Sequence, residues 1–166
     1  PAMRVYMLHS DAPDASARHR AGHWVAEADW PGPRVSRRVM ALGSGGVLGG
    51  AGGDLAVLVR TPQQLGLHAG EFFPMGLNAE MPGDQVSDDA MAVCFETAPL
   101  DADLSLQGAA RLRLTMTCDK PFAFLAARLC DLGPDGSSVR ICHGVLNLRH
   151  RDSMENPTAI PVGRSF

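Results

Sequence analysis

The region from Asp84 to Arg151 constrains the fold most, because short alternating segments separated by turn residues run through it. In Arg111–Thr117 every second residue is leucine or methionine, and the others are arginine or threonine. A period of two places successive side chains on opposite faces of a strand, so this segment predicts one buried and one solvated face. Pro134-Asp135-Gly136 has the composition of a tight turn. The region therefore predicts antiparallel β structure with almost no helix.

The rest of the chain shows the same style of short strands with irregular connections. Strands are predicted at Arg4–Leu8, His23–Glu27, Arg37–Leu42, Leu55–Val59, Ala92–Glu96, Leu104–Leu106, Arg111–Thr117, Phe122–Leu132 and Val139–Leu148. The glycine-rich run Gly43–Gly53 must turn, and Thr61–Gly83 is a long irregular excursion. Many short strands of this kind predict an all-β, antiparallel β-sandwich (jelly roll) that forms one domain over residues 1–166.

Composition and charge exclude several classes of function. A net charge of -3 gives no basic surface for nucleic acid or anionic lipid. No apolar run reaches the roughly 18 residues of a membrane span, and the first residues do not form a signal peptide. Four dispersed cysteines indicate buried free thiols in a reducing, cytoplasmic compartment. A start at Pro1 instead of methionine indicates either a processed product or a segment excised from a longer polypeptide, and the second interpretation is favoured.

Motifs for nucleotide binding and for nucleophilic catalysis do not match. The glycine run has no lysine near it, and Leu48 stands where the dinucleotide-binding spacing needs glycine. The nucleophile elbow Gly-x-Ser-x-Gly is missing from the sequence. A Ser-His-Asp set can be assembled only on paper, from His143 or His150 with Asp131 or Asp152. His143 is interpreted as a strand histidine, and no catalytic or cofactor-binding residue is predicted.

Two binding hypotheses stay open at this point. Asp84, Asp88 and Asp89 are able to hold calcium together with backbone carbonyls, although the favoured interpretation is that they accept hydrogen bonds from loop amides. The sequence has no Cys-x-x-Cys pair, and no metal ligand is predicted. Trp24 and Trp30 are candidates for stacking on sugars, with Trp30 interpreted as a packing anchor.

Taken in order, these motifs resemble the C-terminal domain of the family of X-prolyl dipeptidyl peptidases, cocaine esterases and α-amino-acid ester hydrolases. The resemblance covers roughly residues 23 to 151. It rests on Trp24, Asp29-Trp30-Pro31, Leu42-Gly43, Pro62-Gln63, Gly66, Gly70, Asp84-Gln85, Asp88-Asp89, Phe95, Thr97, Pro99-Leu100, Gly108, Arg128-Leu129, Asp131, Pro134-Asp135-Gly136-Ser137, Gly144, Leu146-Asn147-Leu148 and Arg151.

The resemblance implies a non-catalytic jelly roll of the galactose-binding-like kind, packed on an α/β-hydrolase domain that carries a Ser-Asp-His triad. That catalytic partner domain would lie N-terminal to Pro1 in the same polypeptide, and no triad residue maps onto this sequence. The residues expected to face the partner domain or the substrate pocket are Trp24, Trp30, Phe72, Phe73, Asp84, Gln85, Asp88 and Asp89.

Two further expectations follow from the resemblance. Relatives continue past Phe166 with strands that finish the jelly roll, so the sandwich is expected to be truncated at its C-terminal end. Such a sheet either self-associates into a homo-oligomer or stays open. The alternative function is a stand-alone carbohydrate-binding jelly-roll module.

Overall fold

The computed structural model describes residues 2–50, 52–71 and 79–166. The strands are β1 (Met3–Leu8), β2 (Gly22–Glu27), β3 (Leu42–Gly43), β4 (Val47–Leu48), β5 (Phe124–Leu132) and β6 (Ser138–Asn147). Helical structure within the described residues consists of α1 (Val86–Asp89) and two 3₁₀ turns, Ser44–Gly46 and Leu148–His150. The strands pair as β1-β2, β3-β4 and β5-β6. The all-β, antiparallel prediction is confirmed, although these residues do not close a sandwich.

The β1-β2 pair confirms the two strands predicted nearest the start of the chain. Its antiparallel register runs from Met3 opposite Glu27 to Leu8 opposite Gly22. Cross-strand neighbours share a face, so Tyr6 and Trp24 lie together, with ring centroids 5.2 Å apart.

The glycine-rich run forms the tight turn that its composition predicts. Leu42 pairs with Leu48 across the 3₁₀ turn, and Gly45 and Gly46 have φ values of 71° and 78°. Positive φ is costly for residues with a Cβ atom, so this turn requires glycine. Of the strand predicted at 37–42, only Leu42 is in a strand, and the one predicted at 92–96 is reduced to a bridge between Glu96 and Val47.

The β5-β6 hairpin confirms the turn predicted at residues 134–136. Gly136 takes a φ of 85°, and the Gly133 amide donates to the Ser137 carbonyl at 2.8 Å. The hydroxyl and amide of Ser137 both donate to Asp135 Oδ1, at 2.6 and 3.0 Å. These two hydrogen bonds stabilise the carboxylate and hold the pKa of Asp135 below its ordinary value.

Three predicted strands are wrong, at Leu55–Val59, Leu104–Leu106 and Arg111–Thr117. Alternation gives a segment two distinct faces, but a strand also needs a neighbour to accept and donate its backbone hydrogen bonds. Within Arg111–Thr117 only the end has one, because Met116 and Phe166 exchange hydrogen bonds at 3.0 Å. The segment Leu55–Val59 stays largely exposed, and the side chain of Leu58 is 87% exposed.

The chain divides into two compact units. Unit 1 contains residues 1–107 and 132–139, and unit 2 contains residues 108–131 and 140–166. In unit 2, the buried apolar residues are Leu148 and Ile160. Their amides donate to the Ala123 and Pro121 carbonyls at 3.0 and 3.2 Å, so the core of unit 2 is tied to the segment before β5.

Unit 1 is organised differently, because its buried described side chains are polar. Glu27 is 4% exposed and Gln85, Asp88 and Ser138 are fully buried. None of the four cysteines, all of which are described, forms a disulfide, and the prediction that they are buried is wrong for Cys94 and Cys142, which are exposed. No helix within the described residues combines the length and apolar character that crossing a bilayer requires.

Candidate functional site

The strongest candidate site in unit 1 is the acidic turn, defined as residues Asp84–Asp89. It contains α1 and two side chains with no solvent-exposed surface, Gln85 and Asp88. Polar groups are rarely buried so completely unless hydrogen bonds replace their lost water.

The carboxylate of Asp88 accepts two backbone hydrogen bonds from the irregular excursion. The Gly66 amide donates to Oδ1 at 3.0 Å, and the His68 amide donates to Oδ2 at 3.2 Å. The His68 imidazole Nδ1 also lies 3.6 Å from Oδ1. One buried carboxylate thus fixes the course of the chain from residue 66 to residue 68.

The side-chain amide of Gln85 holds the same loop from a second direction. Its Nε2 donates to the His68 carbonyl at 2.6 Å and to the Gly83 carbonyl at 2.8 Å. The Gly83 amide closes the arrangement by donating to the His68 carbonyl at 3.1 Å. His68 is therefore bound through its amide, its carbonyl and its ring.

The two remaining aspartates of the acidic turn bind the start of β6. Asp84 Oδ1 accepts from the amides of Val86 and Ser138, at 3.1 and 3.0 Å. Asp89 Oδ2 accepts a hydrogen bond from the Ser138 hydroxyl at 2.6 Å. The backbone amide of Gln85 donates to the Ser138 carbonyl at 2.9 Å. The buried Ser138 is thereby joined to three residues of the turn.

These contacts decide what the acidic turn does. The favoured interpretation, that its aspartates accept hydrogen bonds from loop amides, is confirmed. The donors to these carboxylates are backbone amides and a hydroxyl group of the surrounding chain. The arrangement positions loops; it has the character of a structural support and not of a reaction centre.

The predicted aromatic candidates lie elsewhere. Trp24 is on β2 and is 70% exposed, with its ring tilted by 59° against Tyr6. Trp30 is 47% exposed, so the interpretation of Trp30 as a packing anchor is wrong for the described chain. Phe72 and Phe73 lie outside the described residues.

The histidines considered for a Ser-His-Asp triad, and Asp152, are exposed or bound to other groups. His143 is exposed on β6. His150 Nδ1 hydrogen-bonds with the Ser153 carbonyl at 3.2 Å, and the Asp152 carboxylate lies 3.3 Å from Arg151 Nε. The ring of His150 is held by a backbone carbonyl, which is a structural contact.

Several important residues escaped sequence analysis. Glu27 is buried and pairs with Arg34 at 2.9 Å, while His68 and Ser138 complete the acidic turn. Ser138 carried one usable signal, since it directly follows a predicted turn and begins a strand. His68 carried none, because its partners are more than 15 residues away in the chain.

Comparison with known proteins gives two matches. Residues 1–165 match the model of a family described as the X-Pro dipeptidyl-peptidase C-terminal non-catalytic domain. The chain is also similar to the cocaine esterase of Rhodococcus sp. (strain MB1 Bresler), with 25% identity over 159 residues. That alignment covers 86% of this chain and 27% of the esterase, so the chain spans about a quarter of the length of this relative.

Proposed function

Since the chain belongs to the X-Pro dipeptidyl-peptidase C-terminal non-catalytic domain family, we propose that it is the accessory domain of a serine hydrolase. Its partner is an α/β-hydrolase catalytic domain, N-terminal in the same polypeptide, that acts on acyl esters or X-prolyl peptides. The role of this chain is to support that domain and to shape its substrate pocket. The observation that carries the proposal is the family match over residues 1–165.

The distribution of apolar surface supports a partner domain. Large apolar side chains of unit 1 remain open to solvent, among them Leu58 at 87%, Val39 at 80% and Leu67 at 74%. Extensive exposed apolar surface marks an interaction site on a soluble protein. A catalytic domain packed on these residues would bury them and supply the stabilisation that a small apolar core does not.

The acidic turn supports the proposed role in shaping a pocket. Gln85 and Asp88 are buried, so they act on a pocket through the loop that they hold and not by touching substrate. Trp24 and Trp30 are exposed and are suited to direct contact with a partner domain. We assign the first pair to loop support and the second pair to the domain interface.

The proposal extends to the domain organisation, the self-association and the cellular compartment of the chain. The whole of residues 1–166 acts as one β-sandwich domain once the catalytic domain is in place. A second copy of the chain is the alternative cover for the exposed apolar surface, which would give a homo-oligomer. Four free thiols agree with a reducing, cytoplasmic compartment.

A second candidate function is carbohydrate binding. The observation that favours it is the exposure of Trp24, 70%, beside the Tyr6 ring on one face of the β1-β2 pair. Exposed aromatic rings stack on the apolar faces of sugars. Retention on immobilised polysaccharide that is lost in Trp24→Ala and kept in Val39→Ala would favour this candidate.

We expect the isolated chain to hydrolyse neither p-nitrophenyl esters nor X-prolyl p-nitroanilides above the buffer rate. The reason is that acyl transfer by serine needs an activated hydroxyl and an oxyanion hole, which we assign to the partner domain. The measurement is release of nitrophenol or nitroaniline, with His143→Ala as the matched variant. Turnover by the wild-type chain that His143→Ala abolishes would overturn the proposal.

A further inference from the structure

His9 and His23 lie side by side on the β1-β2 pair. Met7 is opposite His23 in the register, and the His9 amide continues the ladder by donating to the Ala21 carbonyl at 2.9 Å. His9 is therefore two residues beyond the partner of His23, which puts both side chains on one face as diagonal neighbours. Both residues are exposed.

The two imidazole rings are already close enough to share a ligand. His9 Nε2 lies 3.0 Å from His23 Nδ1, and the ring centroids are 5.3 Å apart with a tilt of 42°. The backbone of His23 lies in β2, and that of His9 is held by the hydrogen bond to Ala21, so both backbone positions are set before binding. The two rings thus lie together on one face before any ligand binds.

The nitrogen separation of the metal-free pair is close to the value that a shared metal ion requires. Imidazole nitrogen binds transition metals at about 2.0–2.1 Å, so two nitrogens 3.0 Å apart subtend an angle of roughly 90° at a shared ion. That is the angle between adjacent ligands in the square-planar or tetragonal geometry of Cu²⁺ and Ni²⁺. Tetrahedral Zn²⁺ needs a separation of roughly 3.3–3.4 Å at the same bond length.

We propose that His9 and His23 form a surface binding site for a divalent transition metal such as Cu²⁺ or Ni²⁺. Among the described residues no third histidine, cysteine or carboxylate joins the pair to form a metal-binding group. Water therefore completes the coordination sphere, and the site is open to exchange. This inference is independent of the proposed accessory role.

Metal binding requires a change of tautomer in one ring. The 3.0 Å contact needs a hydrogen on one of the two facing nitrogens, whereas a shared ion needs both of their lone pairs. The ring whose facing nitrogen carries this hydrogen changes to its other neutral tautomer, with the N–H on the far nitrogen. A small rotation then directs both lone pairs at the ion. The Arg20 guanidinium donates to the His9 carbonyl at 3.4 Å, so it contacts the backbone at this site.

The test is a calorimetric titration of the tag-free chain with Ni²⁺, above the pH range in which imidazole becomes protonated. We expect binding of one ion per chain. His9→Gln and His23→Gln should each weaken it by about tenfold or more, since each removes one of two ligands. His19→Gln is the matched control, because His19 is exposed in the β1-β2 connection. This variant should bind Ni²⁺ with the same affinity as the wild type.

A second measurement separates the site from unrelated contacts. With Cu²⁺ in place of Ni²⁺, the electron paramagnetic resonance spectrum should show coupling to two nitrogens in wild type and to fewer in either glutamine variant. Circular dichroism should show that both variants keep the wild-type fold. Absence of binding to wild type, or equal binding by the double variant through the exposed thiols of Cys94 and Cys142, would overturn the proposal.

Discussion

Replacement of Asp88 by alanine is expected to lower the free energy of unfolding by about 3 kcal/mol, as measured by urea denaturation. The fully buried carboxylate accepts the amide hydrogens of Gly66 and His68, and alanine leaves both donors without it. Hydrogen bonds to a charged acceptor contribute about 1.5–3 kcal/mol each. The expected loss is a large fraction of the stability of a domain of this size.

The matched control for this prediction is Asp103→Asn. Asp103 is exposed, so its replacement should change the free energy of unfolding by less than about 0.5 kcal/mol. The loss of unfolding free energy in Asp88→Asn should lie between the losses in these two variants. Its amide keeps one acceptor oxygen but turns an NH₂ group towards the other donor. Equal stability of Asp88→Ala and Asp103→Asn would show that the acidic turn does not hold the excursion.

Gly70→Ala is expected to destabilise the chain by about 3 kcal/mol or more. Gly70 has a φ of 71°, which costs about 1–2 kcal/mol for a residue with a Cβ atom. A Cβ atom there would also lie 2.7–2.8 Å from backbone atoms of residues 80–82, which cannot move as the end of a flexible side chain can. Both penalties add at this position.

Gly45→Ala separates the two penalties. Gly45 has the same φ of 71°, but a Cβ atom there would meet nothing within 4 Å. The alanine variant should therefore lose only the conformational part, about 1–2 kcal/mol. Urea denaturation of both variants measures the difference, and similar losses would mean that the chain around residues 80–82 does not pass Gly70 as closely as the structure shows.

Local signals in the sequence predicted the turns and hairpins well. An apolar segment, the Pro134-Asp135-Gly136 turn and a return strand predicted β5 and β6, because both strands of this hairpin lie within one stretch of sequence. Strands β1 and β2 were predicted as separate segments on either side of a polar loop, and their pairing was not predicted.

Alternating patterns without a neighbouring strand gave wrong strand predictions. Arg111–Thr117 alternates cleanly, yet backbone pairing is found only at its end, with the last residues of the chain. Whether a segment has a hydrogen-bonding neighbour depends on contacts distant in sequence, which periodicity does not encode. A β-sandwich depends on such contacts between strands that are distant in sequence.

In the candidate site, too, the sequence predicted the local features and not the contacts between distant residues. The role of the aspartates in the acidic turn followed from residue type, because a short carboxylate beside a turn accepts loop amides. Their partners did not follow, since Gly66, His68 and Ser138 lie 20 or more residues from the aspartates they bind. The proximity of His9 and His23 likewise depends on the strand register, which sequence alone did not supply.

Domain replacement in the cocaine esterase of Rhodococcus sp. tests the accessory role most directly. Ester hydrolysis is compared among the whole esterase, the esterase without the 27% that matches this chain, and a graft carrying this chain in that place. We predict that the graft hydrolyses esters at least about tenfold faster than the truncated esterase, and that Asp88→Ala in the graft removes the gain. A soluble, folded graft no more active than the truncated esterase, or a truncated esterase with full activity, would contradict the account.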